Sequence, residues 1–365
     1  MAKYKAAIIG LSPMGAGALP HSMPHTGMGI EWSEDSIAAS ISHASAFAVT
    51  PDVTVTAVSE INQQATDEFL KNYGDMWPGV KTYLDYKEML REESIDLLGV
   101  ATPDHLHAQI VTDAVDAGVS GILCEKPIST TLVDADRMIE ACEKAGVAIT
   151  VDHFRRYRPH WNRAFRELWD GPLGNVKRIV ASYGGPRSML FRNGSHMIDA
   201  VCWYAQSEPD WVIGVLDEGH DNYGPKYIGD GGKNPDFDPG GSALVQFKNG
   251  VRAFINISKG TTAEMELDVF TEKGRLRINN QSAEVWHPVS EGVPITLTHR
   301  TLAVPMTLRT DTPAAIADLI ESIENGTKTC SPPEEARKSL AVILATLQSQ
   351  SKGNIPIKFP IKDQE

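Results

Sequence analysis

A chain of 365 residues is long enough for about two domains, and 42% hydrophobic residues can fill their cores. With 47 acidic and 34 basic residues the formal net charge is −13, which disfavours nucleic acid and anionic membrane surfaces as partners. No run approaches the roughly 18 apolar residues that span a bilayer. The opening MAKYKAAIIG is too short for a signal peptide, and the four cysteines lack CxxC spacing. We therefore expect buried thiols, no metal and a cytoplasmic location.

The first part of the chain alternates short apolar strands with helices. The predicted strands are Tyr4–Ile9, Val53–Val58, Leu97–Ala101, Gly121–Cys124 and Ala148–Asp152. The predicted helices are Ser36–Ala48, Ala65–Tyr73, Tyr86–Glu92, Leu106–Ala117 and Leu132–Ala145. This order is typical of an α/β domain with a doubly wound parallel Rossmann sheet, which we assign to residues 1–152.

The second part is rich in strands joined by turns. After a helix at Pro159–Trp169, the predicted strands are Val176–Tyr183, Trp211–Asp217, Ser242–Phe247, Val251–Ile257, Met265–Thr271, Leu276–Asn279 and Ala283–His287. Turns such as Lys248-Asn249-Gly250 favour hairpins, and the chain closes with helices at Thr312–Asn325 and Pro333–Ser349. Residues 153–365 are therefore predicted to form an α+β domain with an open, mainly antiparallel sheet. The polar loop Gly219–Gly241 is a candidate rim of the active site.

A glycine-rich loop follows the first predicted strand. It consists of Gly10, Leu11, Ser12, Pro13, Met14 and Gly15, which is G-x-G-x-x-G with serine in the middle position. The outer glycines permit the tight turn and the close packing of the helix, and Ser12 could itself bind a phosphate. The loop is a candidate dinucleotide site.

The acid expected at the end of the second strand is Glu60. It lies further downstream than usual because Ala16–Trp32 resembles an insertion, whose His21 and His25 lack a third metal ligand nearby. A carboxylate binds ribose hydroxyls and repels a 2′-phosphate, and no arginine follows Glu60 directly. NAD is therefore predicted as the cofactor, with NADP disfavoured.

Two motifs after successive strands carry a family resemblance. Thr102-Pro103-Asp104-His105-Leu106-His107 fits T-P-[ND]-x-x-H, and Glu125-Lys126-Pro127 gives E-K-P. With Arg155-Arg156-Tyr157-Arg158-Pro159 and Gly194-Ser195-His196 further on, nearly the whole chain resembles the Gfo/Idh/MocA family of oxidoreductases.

The resemblance implies that Thr102, Pro103, His107, Glu125 and Lys126 contact the cofactor. It also implies that Lys126 is the main acid–base catalyst, with a cis peptide bond before Pro127. The physical argument agrees, because ligands of open α/β sheets bind beyond the carboxyl ends of the strands.

The resemblance places a helper and the substrate contacts in the second domain. His196, on a helix, would share proton transfer with Lys126, and His153 and Arg156 are further predicted substrate contacts. The family's aspartate four residues before this histidine is absent: Arg192 stands there, followed by Asn193. Asn193 could take over hydrogen bonding, or Arg192 could hold an anionic group of the substrate.

These patterns predict a sugar or cyclitol dehydrogenase, active as a homodimer or homotetramer, that exchanges hydride between NAD and a ring hydroxyl carbon. Two alternatives stay open from the sequence. One is redox-neutral cleavage of a glycoside by transient oxidation and elimination, and the other is a non-catalytic, nucleotide-sensing regulator.

Overall fold

The computed structural model describes residues 2–17, 42–289, 297–303 and 310–361. The chain forms two compact units. The first comprises Met1–Ser129, Asp134–Tyr157 and Met306–Pro333, and the second comprises Thr130–Val133, Arg158–Pro305 and Glu334–Glu365. This division differs from the predicted domains 1–152 and 153–365, because a late segment of the chain returns to the first unit.

The first unit contains a sheet of six parallel strands in the order β3-β2-β1-β4-β5-β6. The strands are β1 Tyr4–Ile9, β2 Val53–Ser59, β3 Lys81–Tyr83, β4 Leu97–Val100, β5 Gly121–Cys124 and β6 Ala148–Val151. Its helices are α1 Pro13–Ala16, α2 His43–Ala48, α3 Gln63–Tyr73, α4 Tyr86–Glu92, α5 His107–Asp116, α6 Leu132–Ala145 and α9 Asp311–Asn325. The order reverses between β1 and β4, which is where doubly wound sheets bind their ligands.

The central strands of this sheet are buried on both faces. Every residue of β4 and β5 is buried, as expected for parallel strands covered by helices. Helix α9 joins this core through Ala315, Ile316 and Leu319. Sequence order alone could not reveal that a helix so late in the chain packs here.

The second unit contains a sheet of nine strands in the order β14-β13-β12-β11-β7-β10-β9-β8-β15. The strands are β7 Val176–Gly184, β8 Pro209–Leu216, β9 Gly241–Phe247, β10 Arg252–Ser258, β11 Met265–Thr271, β12 Arg275–Asn279, β13 Ala283–Pro288, β14 Leu297–Thr301 and β15 Ile357–Lys358. Neighbouring strands are antiparallel except for β7 and β10. The predicted fold class is confirmed for both sheets.

One face of this second sheet is covered and the other is open. Burial alternates along β10, with Ala253, Ile255 and Ile257 buried between exposed residues. The helices of this unit are α7 Pro159–Trp169, α8 Asn193–Ala205 and α10 Pro333–Ser351, and α8 packs on β7 and β10. Alternation of this kind is typical of a sheet with one solvated face.

Three strands were not predicted: β3, β14 and β15. They lie at or beside sheet edges, and β14 has almost no buried residue, so they lack the apolar pattern on which prediction depends. Residues 36–41 of the helix predicted at Ser36–Ala48, and the insertion Ala16–Trp32 from Ala18 onward, lie outside the described residues. In the part of the chain that the structure describes, no helix is both long and apolar enough to cross a membrane.

Candidate functional site

The glycine-rich loop connects β1 to the short helix α1. Gly10 has a φ of +88°, and a Cβ there would lie 2.7 Å from the carbonyl oxygen of Ala101. Both the backbone angle and the close approach therefore require glycine. The hydroxyl of Ser12 donates to the carbonyl of Ala101 at 3.2 Å, and Pro13, Met14 and Gly15 form the first turn of α1. Gly10 thus brings the loop into close contact with the backbone that follows β4.

Glu60 lies directly beyond β2 and beside this loop. Its Oε2 accepts a hydrogen bond from the backbone N–H of Leu11 at 2.7 Å, and its Oε1 accepts one from the N–H of Asn62 at 2.8 Å. These bonds hold the carboxylate at the edge of the loop. Because each carboxylate oxygen has two lone pairs, acceptor capacity remains for the hydroxyls of a ribose.

The loops after β4 and β5 are joined by His107. Its Nδ1 lies 3.0 Å from the carbonyl oxygen of Pro127 and its Nε2 lies 3.0 Å from that of Thr102. Burial lowers the pKa of His107, and each ring nitrogen can donate to the carbonyl it faces when it carries the proton. His107 thus positions the two loops that the sequence singles out, and its direct contact with a cofactor stays a prediction.

Thr102, Pro103, Glu125 and Lys126 all lie just beyond the carboxyl ends of β4 and β5. The Oγ1 of Thr102 is buried and has no hydrogen-bond partner among the described residues, which suits a side chain that meets a ligand. Lys126 is partly buried, and its backbone N–H donates to Oε2 of Glu125 at 3.2 Å. The Lys126–Pro127 peptide bond is cis, as predicted.

A buried acidic cluster lies beside Lys126. Nε2 of His43, on α2, is 3.5 Å from Oε1 of Glu125. Asp152 follows β6, and its Oδ2 accepts a hydrogen bond from the hydroxyl of Thr312 at 2.9 Å. One nitrogen of His43 and one oxygen each of Glu125 and Asp152 lie within 4.8 Å of one another. We call His43, Glu125 and Asp152 the buried triad.

The two acids of the triad have pKa values that move in opposite directions. Burial, and then the charge of Glu125, raise the pKa of Asp152 well above its ordinary value. Burial would also raise the pKa of Glu125, but the contacts with His43 and the charge of Lys126 outweigh it and lower this pKa. The surroundings thus favour the protonated form of Asp152 and the charged form of Glu125.

His153 and Arg156 follow Asp152 at the same end of β6, and both are buried. The backbone N–H of Arg156 donates to the carbonyl of His153 at 3.0 Å. The guanidinium of Arg156 donates through Nη1 to the carbonyl of Cys330 at 3.3 Å. This contact gives Arg156 a structural role, and its predicted contact with substrate stays a prediction.

The predicted residues of the second unit form a separate group at the start of α8. Arg192 precedes the helix, Asn193 begins it, and His196 lies in its first turn. The hydroxyl of Ser195 donates to the carbonyl of Arg192 at 2.7 Å. Both Arg192 and His196 are buried, so the helix starts with a desolvated cation rather than with a carboxylate.

Arg192 is held by the loop between β8 and β9. Its Nη2 donates to the hydroxyl of Tyr227 at 3.5 Å, and this hydroxyl donates to Oδ2 of Asp238 at 3.4 Å. Gly232 has a φ of +76°, and a Cβ there would lie 2.5 Å from Cδ of Arg192. The loop Gly219–Gly241 therefore packs against Arg192. The hydroxyl of Tyr227 links the guanidinium of Arg192 to the buried carboxylate of Asp238.

Sequence reasoning missed His43 and Asp152. Asp152 directly follows a parallel strand, so the strand-end rule that found Thr102 and Glu125 could have found it. Nothing in the sequence marks His43, because its neighbours in the triad come from distant segments. One edge of the first sheet, at the carboxyl ends of its strands, carries the predicted residues Gly10, Ser12, Glu60, Thr102, Glu125 and Lys126.

Comparisons with known proteins find two family models that match the chain. A family model described as "Oxidoreductase family, NAD-binding Rossmann fold" (GFO_IDH_MocA) matches residues 36–153. The model "GFO/IDH/MocA C-terminal domain" matches residues 153–277. The two together span about two thirds of the chain.

Among curated relatives, the D-apiose dehydrogenase of Paraburkholderia graminis is 37% identical over 110 residues, which are 30% of this chain and 29% of that protein. The myo-inositol 2-dehydrogenase of Thermotoga maritima is 24% identical over 255 residues, 65% of this chain and 71% of that enzyme. The first match thus spans less than a third of its relative.

The crystal structure of an aldose-aldose oxidoreductase from Caulobacter crescentus, complexed with glycerol, superposes with a TM-score of 0.73 at 20% identity. The match covers 98% of this chain and 100% of that chain. At this identity the likeness shows a common fold.

Proposed function

Because the chain belongs to the Gfo/Idh/MocA family of oxidoreductases, we propose that it is an NAD-dependent dehydrogenase. It transfers hydride between the cofactor and a ring hydroxyl carbon of a sugar, glycoside or cyclitol. The names of two relatives, a D-apiose dehydrogenase and a myo-inositol 2-dehydrogenase, support this substrate class.

One observation carries the proposal: the glycine loop, Glu60 and Lys126 lie along a single edge of a parallel sheet, at the carboxyl ends of β1, β2 and β5. Gly10 makes the tight turn after β1, Ser12 stands where the backbone meets a pyrophosphate, and Glu60 offers acceptors for ribose hydroxyls. Lys126 stands two strands away, where the reacting end of an extended dinucleotide would come.

NAD is favoured over NADP by the charge of Glu60. Its carboxylate is fixed by two backbone N–H groups and is therefore unable to turn away from an incoming 2′-phosphate. A fixed negative charge next to a phosphate raises its free energy of binding.

Lys126 is the group that we propose to hold and move the proton of the reacting hydroxyl, while bound NAD supplies the hydride acceptor. His196 is its proposed helper. Arg192 is buried and hydrogen-bonded to Tyr227. We propose that its guanidinium binds an anionic or strongly polar substituent of the substrate.

The direct test is a screen of polyols, sugars, glycosides and sugar acids with NAD and NADP, followed by the absorbance of the reduced nicotinamide. We expect net NADH formation with at least one ring alcohol and a preference for NAD. The Lys126→Met variant serves as the control, because it keeps the length of the side chain but cannot carry a proton.

Three results would contradict the proposal. Equal or better use of NADP would remove the role given to Glu60. Cleavage of a glycoside without accumulation of NADH would favour the redox-neutral reaction. Nucleotide binding without turnover of any compound in the screen would favour a sensing protein.

A further inference from the structure

The buried triad has more polar atoms than hydrogen bonds. His43, Glu125 and Asp152 are exposed by 0%, 6% and 1%. Both ring nitrogens of His43, Oε1 of Glu125 and Oδ1 of Asp152 have no hydrogen-bond partner within the described ranges. Buried polar atoms without partners are uncommon and costly. The three side chains therefore bring unmet hydrogen-bonding capacity together at one point.

Two carboxyl groups belong to the buried triad, and ionising both of them has a large cost in free energy. Like charges this close in a desolvated site favour a proton on one of the two groups. Glu125 is the better carboxylate, because it faces His43 and accepts from the backbone N–H of Lys126. Asp152 accepts only the neutral hydroxyl of Thr312 in the bonds described.

The charges around Asp152 come from four elements. Glu125 and Lys126 follow β5, His43 comes from α2, Asp311 begins α9, and His153 is the next residue in the chain. Glu125 and Asp311 favour the protonated form of Asp152, and Lys126 favours the carboxylate. A further positive charge at this edge of the sheet would act in the same direction as Lys126.

We propose that Asp152 is a proton store coupled to the charge of the nicotinamide: it is protonated in the free protein, loses its proton when NAD⁺ binds, and regains one as hydride transfer neutralises the ring. This rests on the proposed function. It gives Asp152 a role that neither the family resemblance nor the sequence patterns assigned.

Each proton in this scheme has a source and a destination. Binding of NAD⁺ releases one proton from the carboxylic acid of Asp152 to solvent. During oxidation of the alcohol, the ammonium group of Lys126 would pass one proton to the carboxylate of Asp152 and take up the hydroxyl proton, while bound NAD⁺ would accept the hydride. The charge inside the site is thus the same before and after the chemical step, which avoids creating a buried charge.

The test compares binding of NAD⁺ and NADH to the whole protein without substrate. Calorimetry in buffers of different ionisation enthalpy, near pH 7, gives the number of protons released. We expect NAD⁺ to release close to one proton per site and NADH to release none. Asp152→Asn, which keeps the shape but not the titration, should bind NAD⁺ and release no proton.

Asp217→Asn is the matched control, because burial also raises the pKa of Asp217 but this residue belongs to the second unit. It should behave like the unchanged protein. Equal proton release with NAD⁺ and NADH, or full release from Asp152→Asn, would overturn the proposal. So would a stoichiometric metal ion in the purified protein, since a cation would then occupy the buried triad.

An infrared measurement separates failure of this proposal from failure of the proposed function. The free protein at neutral pH should show the carbonyl band of a buried carboxylic acid, and NAD⁺ should remove it. If the band is absent, the proton store is refuted even when NAD⁺ binds and is reduced. If the band is present but NAD⁺ does not bind, both the coupling and the proposed function are refuted. Only the statement that Asp152 is protonated in the free protein then stands.

Discussion

The two sheets of this protein place their polar residues differently. In the six-stranded sheet the central strands are buried on both faces and polar side chains stand at the carboxyl ends of the strands, as Thr102 and Glu125 do. In the nine-stranded sheet one face is open, and polar and apolar residues alternate along the strands. A sheet covered on both faces leaves only the ends of its strands accessible to ligands. A sheet with one open face also has a surface to which another protein can bind.

This difference predicts that the two units contribute different parts of the function. The strand ends of the first unit should control the chemical step and the cofactor. The second unit should control the affinity for substrate and the association of chains. Each of the following experiments changes one side of this division.

The largest effect is expected at Lys126. Lys126→Met should lower kcat by about 10²–10⁴-fold with little change in NAD binding, because it removes a positioned acid–base group. His196→Ala should lower kcat less, and Arg192→Ala should mainly raise KM. Steady-state kinetics and nucleotide titration of the three variants measure this order. Near-normal kcat in Lys126→Met would end the assignment of chemistry to the first sheet.

Glu60 should set the choice of cofactor. Glu60→Ala removes an acceptor that two backbone N–H groups hold in place, and a hydrogen bond to a charged group contributes about 1.5–3 kcal/mol. We expect NAD affinity to fall about 10–100-fold and discrimination against NADP to relax. Glu60→Gln is the matched control, since it keeps the size without the charge. Unchanged discrimination in both variants would remove Glu60 from cofactor selection.

Packing inside the first sheet should tolerate no extra atom. A Cβ on Gly99, in β4, would lie 2.7 Å from Nδ1 of His43 and 3.2 Å from the ring of Phe47. Overpacking of this kind costs about 1–3 kcal/mol, so Gly99→Ala should lower the free energy of unfolding by that amount. Urea denaturation of the two proteins without cofactor measures the difference. Equal midpoints would show that α2 can move away from β4.

The sequence predicted the parts of the first unit that depend on local pattern. Tyr4–Ile9 and Gly121–Cys124 have the predicted bounds, because each is a short apolar run with a clear end. The strand-end rule then gave Glu60 and Lys126. These successes follow from physics that acts within a few residues.

Contacts between distant segments escaped the same reasoning. Helix α9 packs in the first unit, and the buried triad joins a residue of α2 to residues just beyond β5 and β6. No periodic pattern in the sequence marks either contact. In the second unit, the sequence singled out Arg192 but gave no sign that Tyr227 and Asp238 hold it. A buried charge is costly unless it is paired, but only the folded structure shows which residue pairs with it.

The open face of the second sheet should join copies of the chain. Phe254 is 43% exposed and stands in register with Val180 on β7 and Leu244 on β9, which pairs in turn with Ile213 on β8. This apolar row crosses four strands, and rows of this kind mark interaction surfaces.

We expect light scattering at micromolar concentration to give twice or four times the mass of one chain. Phe254→Glu should weaken association by about 1–3 kcal/mol and leave the fold unchanged by circular dichroism. Lys177→Glu, on the same sheet but paired with Glu272 outside the row, is the control for added negative charge. A monomer in the unchanged protein would contradict the assignment.

The smallest effect concerns two turns of the second sheet, where space is not the limit. A Cβ on Gly250 or on Gly260 would have no atom within 4 Å, but Gly250 has a φ of +91° and Gly260 does not lie in that region. Gly260→Ala should stabilise the protein by about 0.4–1 kcal/mol, because alanine reduces the conformational entropy of the unfolded chain. Gly250→Ala should destabilise it by about 1–2 kcal/mol, because an L-residue at positive φ is strained. Both changes are read from the urea midpoint. Opposite signs would show that backbone angle alone limits substitution in these turns, whereas packing limits it at Gly99; equal losses at both positions would show that the turns too are constrained by contacts.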